Sequence, residues 1–244
     1  MNNKKYFVEI DNNKVAYTVI KTKRKTIGIT IDMNGEVRVS APLRISEKQI
    51  RETVQKKAGW IIKKVNEVIE MNSNLVCRQF VSGEKLLYLG KEYTLEIVEK
   101  DLGKAEVLMH KDTITVYIFH GLSEESMRQT IKEALIKWYR QRFAEIVKER
   151  IEKYSMQLKV APCKVVIKNQ KTRWGSCSEK GNINLNWRLI MAPLHVIDYV
   201  VVHELCHLKV MNHSKDFWDL VGAIQPNYRE NRKWLKINGN RLEI

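Results

Sequence analysis

The feature that most constrains this chain is an apolar run at residues 196–208 that carries the motif H-E-x-x-H. Residues 199–202, just before the motif, show no polar face, so the run predicts a helix buried inside the protein. At helical pitch His203 and His207 lie one turn apart on the same face, and Glu204 projects beside them. Burying these polar groups without partners is costly, and a shared metal ion removes that cost. The spacing therefore predicts a zinc site at which Glu204 takes a proton from the attacking water.

A third histidine follows at a distance that suits the same metal. His213 lies six positions after His207, and Asn212 before it tolerates the conformation that a turn needs. If the helix ends near Lys209, the turn brings His213 back to the metal. Three histidines leave a fourth zinc position for water, which is typical of catalytic sites. We therefore expect one Zn²⁺ per chain, held by His203, His207 and His213.

Three carboxylates compete with His213 for the third position, namely Asp216, Asp219 and Glu230. The two aspartates flank an aromatic pair and are more simply the solvated side of the next helix. Glu230 lies among basic residues, where an ion pair is the simpler interpretation. The histidine spacing also occurs in metzincins, but those proteins carry glycine three residues after the second histidine, where this chain has Val210.

Five short motifs in the second half of the chain resemble one known family. They are R-W-G-S-C-S at 173–178, N-I-N-L-N-W-R-L-I at 182–190, Y-V-V-V-H-E-L at 199–205, N-H-S at 212–214 and F-W at 217–218. Together they resemble the YgjP-like metal-dependent hydrolases, zincin-fold proteins related to the SprT-like protease domains. The likeness is dense over residues 165–235. Elsewhere it is looser, and a G-E-x-L-x-Y-L-G segment at 83–90 fits the family's layout.

The resemblance implies a zinc metallopeptidase that acts on a peptide or protein. Carried over by position, it implies that His203, His207 and His213 bind zinc and that Glu204 is the catalytic base. An alternative is a zinc-dependent hydrolase of nucleotides or other phosphorylated small molecules. A third hypothesis, a non-catalytic protein associated with nucleic acid, is disfavoured because zinc binding alone does not need Glu204. The oxyanion-stabilising residue stays open among Tyr228, Arg229 and Arg188.

The apolar pattern predicts an α+β fold with two domains. Residues 1–120 are predicted to form a β-rich unit with one helix. A tight turn at Asn34 and Gly35 indicates a hairpin, and a capping box of Ser46 and Gln49 opens the helix, which ends at residues 72–74. Four short strands follow between residues 86 and 119.

Residues 121–244 are predicted to form a zincin-like domain in which the H-E-x-x-H helix packs on a small sheet. A long helix starts at Ser123, strands lie at 165–167 and 183–187, and Ser214 caps a further helix. Asn184 and Asn186 alternate with apolar residues in the second strand. Their amides either line a substrate cleft or form the wet face of the sheet.

The net charge of +15, with a pI near 9.6, favours anionic partners such as nucleic acid or nucleotides. The excess is +9 over residues 121–244 and +6 over residues 1–120, so it is not gathered in a tail. The densest basic stretch near the motifs either borders the cleft and binds a phosphate or carboxylate, or forms a solvated strand edge. Its residues are Lys164, Lys168, Lys171 and Arg173.

No run approaches the roughly 20 apolar residues of a membrane span, and the N-terminus lacks the apolar core of a signal peptide. We therefore expect a cytoplasmic protein with no membrane partner. The four cysteines include no C-x-x-C pair and predict no disulfide framework. Cys206 is expected in the core, and Cys177 is a less favoured ligand. No pattern indicates a particular oligomeric state.

Overall fold

The computed structural model describes residues 5–10, 13–32, 35–73, 78–101, 103–170 and 173–244. The described part contains both helices and sheets, which confirms the α+β class. Contacts divide the chain into two compact units, Met1–Val76 and Cys77–Ile244. Some residues that carried sequence predictions lie outside the described part: Asn34, Asn74, Cys77 and Lys171. No helix in these described ranges is long and apolar enough to cross a membrane.

The first unit is a four-stranded sheet with two helices. Its elements are β1 (Lys5–Ile10), β2 (Asn13–Thr22), β3 (Gly28–Ile31), β4 (Val37–Pro42), α1 (Glu47–Lys56) and α2 (Ala58–Ser73). The strand order is β1-β2-β4-β3, with β2 and β4 parallel and the outer pairs antiparallel. Apolar residues of the strands and helices meet in one core: Val8, Tyr17, Val37, Val39, Ala41, Ile50, Val54, Ala58, Ile61 and Val65.

The capping box predicted at the first helix is present. The Gln49 N–H donates to the Ser46 hydroxyl at 3.2 Å, and the Ser46 N–H donates to the Gln49 side-chain oxygen at 3.2 Å. The single helix that we predicted is interrupted at Lys57, whose backbone angles are φ −104° and ψ 5°. Ile61 still donates to the Lys57 carbonyl, and buried apolar residues of α1 and α2 pack in the same core on both sides of the break. That continuity is why the sequence pattern indicated one helix.

A second four-stranded sheet opens the second unit. Its strands are β5 (Lys85–Tyr88), β6 (Lys91–Glu99), β7 (Glu106–His110) and β8 (Thr113–Ile118). The order β5-β6-β8-β7, with β6 and β8 parallel, repeats the arrangement of the first sheet. A long helix, α3 (Glu124–Leu158), follows after the N-cap Ser123 and packs on this sheet.

The expected boundary at residue 120 falls inside the second unit, and hydrogen bonds explain why. The Tyr139 hydroxyl of α3 donates to the Leu87 carbonyl at 2.8 Å. The Leu89 and Gly90 N–H groups, in the β5–β6 turn, donate to the Ile190 and Met191 carbonyls at 2.8 and 3.1 Å. Residues 85–118 therefore share a core with the rest of the second unit.

The ends of the second unit are held together by Arg78. Its Nε donates to the Glu243 carbonyl at 3.3 Å, and its guanidinium pairs with Glu84 at 3.1 Å. Both side chains of that ion pair are largely buried. The first described residues of the unit therefore lie beside its last residues.

A three-stranded sheet and a group of helices complete the second unit. The remaining elements are β9 (Lys164–Lys168), β10 (Gly175–Cys177), β11 (Asn182–Asn186), a 3₁₀ turn (Trp187–Met191), α4 (Leu194–Cys206), α5 (Lys215–Ile224), α6 (Tyr228–Asn238) and a short 3₁₀ turn (Gly239–Arg241). The strand order is β10-β11-β9, so β11 is central and β10 lies at an edge. Helix α4 contacts β10, β11, α5 and α6.

Candidate metal centre

Helix α4 carries the H-E-x-x-H motif and is buried along nearly its whole length, as the apolar run predicted. The regular helix ends at Cys206, and the N–H groups of Lys209 and Val210 still bond to the Cys206 carbonyl at 3.0 Å. Asn212 then accepts a hydrogen bond from the Ser214 N–H at 3.2 Å. This turn, which lacks the metzincin glycine, directs His213 back towards α4.

Three imidazoles converge at the C-terminal end of α4. The ring nitrogens available from His203, His207 and His213 lie within 4.8 Å of one another. His213 Nε2 is 3.1 Å from His203 Nε2. Among the described residues no other histidine, cysteine, aspartate or glutamate joins such a cluster.

The donor set fits a metal ion. His207 Nδ1 lies 3.1 Å from the Val210 carbonyl and donates to it, which leaves the Nε2 lone pair for a ligand. Burial, together with the neighbouring histidines, lowers the pKa of His203 to about 3 and also lowers the pKa of His207. Both rings are therefore neutral at ordinary pH, which is the form that binds metal.

An aromatic residue of α5 packs against all three histidines. The Phe217 ring lies 4.9 Å from His203, 4.5 Å from His207 and 4.8 Å from His213, measured between centroids. Phe217 is fully buried, and Trp218 beside it lies within 5.7 Å of His203 and His213. This apolar wall restricts the conformations of the imidazoles. In the sequence, this F-W pair was recognisable only as part of a motif.

Glu204 lies beside the histidines against the backbone of β10. A Cβ atom at Gly175 would come within 2.5 Å of Glu204 Oε1, so only glycine leaves room for the carboxylate. Glu204 is 5% exposed. Burial raises the pKa of Glu204 to about 8, against the opposing charge of Arg173.

The carboxylate opens onto a cavity of about 360 Å³ that His203 also lines. Cationic and aromatic side chains make up much of its wall: Arg173, Arg232, Lys236, Trp174 and Tyr199. Pockets of roughly 300 to 1,000 Å³ hold small ligands, so this one accommodates a short part of a larger substrate. One site is thus formed by the histidine cluster, the buried carboxylate of Glu204 and the cavity.

A family model described as a YgjP-like metallopeptidase domain matches residues 25–238. The chain belongs to the YgjP-like family. Solved structures with local similarity include the metallopeptidase zymogen of Pyrococcus abyssi abylysin, at 26% identity and a TM-score of 0.34, covering 37% of this chain and 93% of that one. The zymogen of Methanocaldococcus jannaschii jannalysin shows 21% identity and a TM-score of 0.33, covering 37% and 96%. A search of curated proteins found no significant match.

The structure keeps the competing carboxylates of this YgjP-like chain out of the histidine cluster. Asp216, Asp219 and Glu230 are all exposed, and none joins the group of ring nitrogens. Cys206 is buried, and burial raises the pKa of its thiol to about 12. Cys177 lies near Glu204, and burial followed by the charge of Glu204 raises the pKa of its thiol.

The three candidate oxyanion stabilisers do not line the cavity. Arg188 pairs with Glu243 at 3.1 Å, and Arg229 donates to the Tyr228 hydroxyl at 3.2 Å. The arginines that line the cavity are instead Arg173 and Arg232. Arg173 had a signal in the sequence, since it ends the basic stretch and begins the R-W-G-S-C-S motif.

The asparagines of β11 stabilise the sheet beside the YgjP-like site and do not line the cavity. Asn186 is 3% exposed, and its amide donates to the carbonyls of Gln170 at 2.8 Å and Arg173 at 3.1 Å. The Asn184 amide donates to the Ser176 hydroxyl at 3.1 Å. Because β11 pairs on both sides, the strand that offers an edge near Glu204 is β10.

Proposed function

We propose that this chain is a zinc-dependent metallopeptidase in which Glu204 is the general base. One observation carries the proposal: three imidazoles converge beside a buried carboxylate that opens onto a cavity, in a chain of a metallopeptidase family. Structural metal sites have no need of such a carboxylate. A catalytic site does, because hydrolysis requires a base for the attacking water.

His203, His207 and His213 would hold the zinc ion. When bound, zinc lowers the pKa of water and polarises the bond to be cleaved. Glu204 accepts the proton of the attacking water and returns it to the leaving amine. Gly175 positions the carboxylate for this role, and the hydrogen bond from His207 to Val210 keeps that ring in one orientation.

Strand β10 supports an extended peptide as substrate. Within the described residues it pairs only with β11, so its other edge has backbone groups available for hydrogen bonds. Gly175, at the start of this strand, lines the cavity beside Glu204. A peptide that adds to this edge as a further strand would pass the carboxylate.

The second candidate function is hydrolysis of nucleotides or other phosphorylated small molecules. It is supported by Arg173, Arg232 and Lys236, which give the cavity a positive lining. Cations of this kind bind phosphate groups as readily as carboxylates.

The deciding experiment is a screen of the zinc-loaded protein against a peptide library and a panel of nucleoside triphosphates. We expect peptide cleavage that stops when zinc is removed by a chelator and returns when zinc is added back. Hydrolysis of triphosphates without cleavage of any peptide would overturn the first proposal in favour of the second.

A further inference from the structure

The cavity beside Glu204 contains a group of cations with no assigned role. Arg232 and Lys236 lie one turn apart on α6, and Arg173 comes from the segment before β10. The three side chains line the same cavity as His203 and Glu204. We call them the cavity cations.

The cavity cations form no ion pair with any acidic side chain of the described residues. In the ranges that the structure describes, none of the three forms an ion pair within 4.0 Å, whereas five other arginines of the same unit do. The pairs with the least exposed arginines are Arg78 with Glu84, Arg150 with Asp198 and Arg188 with Glu243. Among the described residues that line the cavity, Glu204 alone carries a carboxylate. Three cations around one carboxylate create a field that attracts a further anion.

Arg232 is oriented before any ligand arrives. Its guanidinium lies over the Trp218 ring, 5.3 Å from the centroid. Trp218 in turn stacks on Tyr228 at 5.2 Å with an interplanar angle of 17°. Stacking occupies the face of the guanidinium and leaves its N–H edge available for a planar carboxylate. The side chain therefore loses little conformational freedom when it binds an anion.

We propose that the cavity cations bind a carboxylate of the peptide substrate next to the bond that is cleaved. This inference rests on the proposed function only in taking the substrate to be a peptide. Because the cations, His203 and Glu204 share one cavity of about 360 Å³, the bound carboxylate lies close to the reacting bond. It comes either from an acidic side chain or from the C-terminus of the peptide. The YgjP-like chain is thereby selective for acidic or C-terminal segments.

Binding to the full-length, zinc-loaded Glu204→Gln protein tests this inference, since that variant leaves the probes intact. The probes are a five-residue peptide with a central glutamate and blocked termini, the same peptide with glutamine, and the glutamine peptide with a free C-terminal carboxylate. Adenosine triphosphate is a fourth probe. Calorimetric titration at low salt measures each affinity.

A double variant removes two cavity cations, and a matched control removes the same charge from the same helix. The test variant is Arg232→Gln with Lys236→Gln, and the control is Arg229→Gln with Lys233→Gln. Both pairs have the same spacing, and the control side chains are exposed and do not line the cavity. We expect a carboxylate-bearing peptide to bind on the order of tenfold more tightly than the blocked glutamine peptide. This preference should fall to about twofold or less in the test variant and persist in the control.

Equal affinity for all three peptides, or no peptide binding, overturns the inference. Loss of the preference in the control as well assigns it to overall charge and also overturns it. If adenosine triphosphate alone requires the cavity cations, the site is a phosphate site. Cleavage of the peptides by the unmodified protein is measured separately. Equal cleavage of the peptides without a binding preference rejects the carboxylate site but supports the peptidase function. A binding preference without cleavage supports the carboxylate site but rejects the peptidase function.

Discussion

The carboxylate of Glu204 packs directly on the backbone of Gly175, and a Cβ atom there would lie 2.5 Å from Oε1 and 2.7 Å from Cγ. Atoms do not approach so closely, so a side chain at this position must displace the glutamate. The glycine of the R-W-G-S-C-S motif therefore sets the position of the Glu204 carboxylate, although it has no side chain of its own.

Gly175→Ala should lower peptidase turnover by about 10²-fold, because a displacement of about 1 Å in a reacting group has an effect of that size. The three atoms nearest to the added Cβ all belong to Glu204 and none to a histidine, so zinc content should stay near one per chain. Turnover and elemental analysis on the same preparation check this. Gly222→Ala is the control, since its Cβ would meet Tyr228 at an ordinary 3.5 Å. Unchanged turnover in Gly175→Ala would show that the carboxylate position is not critical.

His213→Ala should greatly weaken zinc binding, because it leaves two of three protein ligands. The unmodified protein should carry about one zinc per chain. Asp216→Ala and Glu230→Ala are controls, since neither residue lies in the histidine cluster, and both should retain zinc. Full zinc occupancy in the His213→Ala protein would remove His213 from the ligand set.

Glu204→Gln should keep the fold and the zinc while turnover falls by ~10² to 10⁴. The amide preserves the shape of the side chain but cannot accept the proton of the attacking water. Zinc content and turnover are measured together. Near-normal turnover with zinc retained would contradict the proposed role of Glu204 as the general base. Loss of zinc together with turnover would instead mean that Glu204 stabilises the metal site.

Gly90→Ala should destabilise the second unit by about 1 to 3 kcal/mol. Gly90 has φ +79°, and its added Cβ would meet the Pro193 Cα at 3.0 Å, just before α4 begins. Urea unfolding followed by tryptophan fluorescence measures the change. Gly103→Ala is the control, because nothing lies within 4 Å of its added Cβ. Equal stability of the two variants would contradict a structural role for this close contact.

If the excess charge of +15 recruits nucleic acid, affinity for a labelled DNA oligonucleotide should fall steeply as salt rises. Each neutralised phosphate releases counterions, so the logarithm of the affinity should decrease linearly with that of the salt concentration. Fluorescence anisotropy provides the measurement. If no binding is detected at low salt, the positive charge serves solubility or the binding of small anions, and not the binding of nucleic acid.

The sequence predicted the cluster of three histidines because its determinants are local. His203 and His207 share one helical face, and a short turn returns His213, so spacing alone indicated their convergence. The capping box of Ser46 and Gln49 was equally local and is present. The long helix predicted to start at Ser123 is also present, with Ser123 as its N-cap.

The features that the sequence could not predict depend on contacts between distant segments. The second unit starts before residue 85 because Leu89 and Gly90 bond to residues about a hundred positions later. The role of Gly175 depends on how closely β10 approaches α4, which no spacing reveals. Arg232 lies well beyond the motif, and only folding brings it to the cavity.

The hydrogen bond between Arg78 and the Glu243 carbonyl joins the two ends of the second unit. Because the two ends of the unit are in contact, they could be moved to another position in the chain without changing how its segments pack. A version with its ends joined by a short linker and reopened at an exposed turn would keep the same strand pairs and the same histidines. The fold of the second unit is thus separable from the order in which its segments follow one another along the chain.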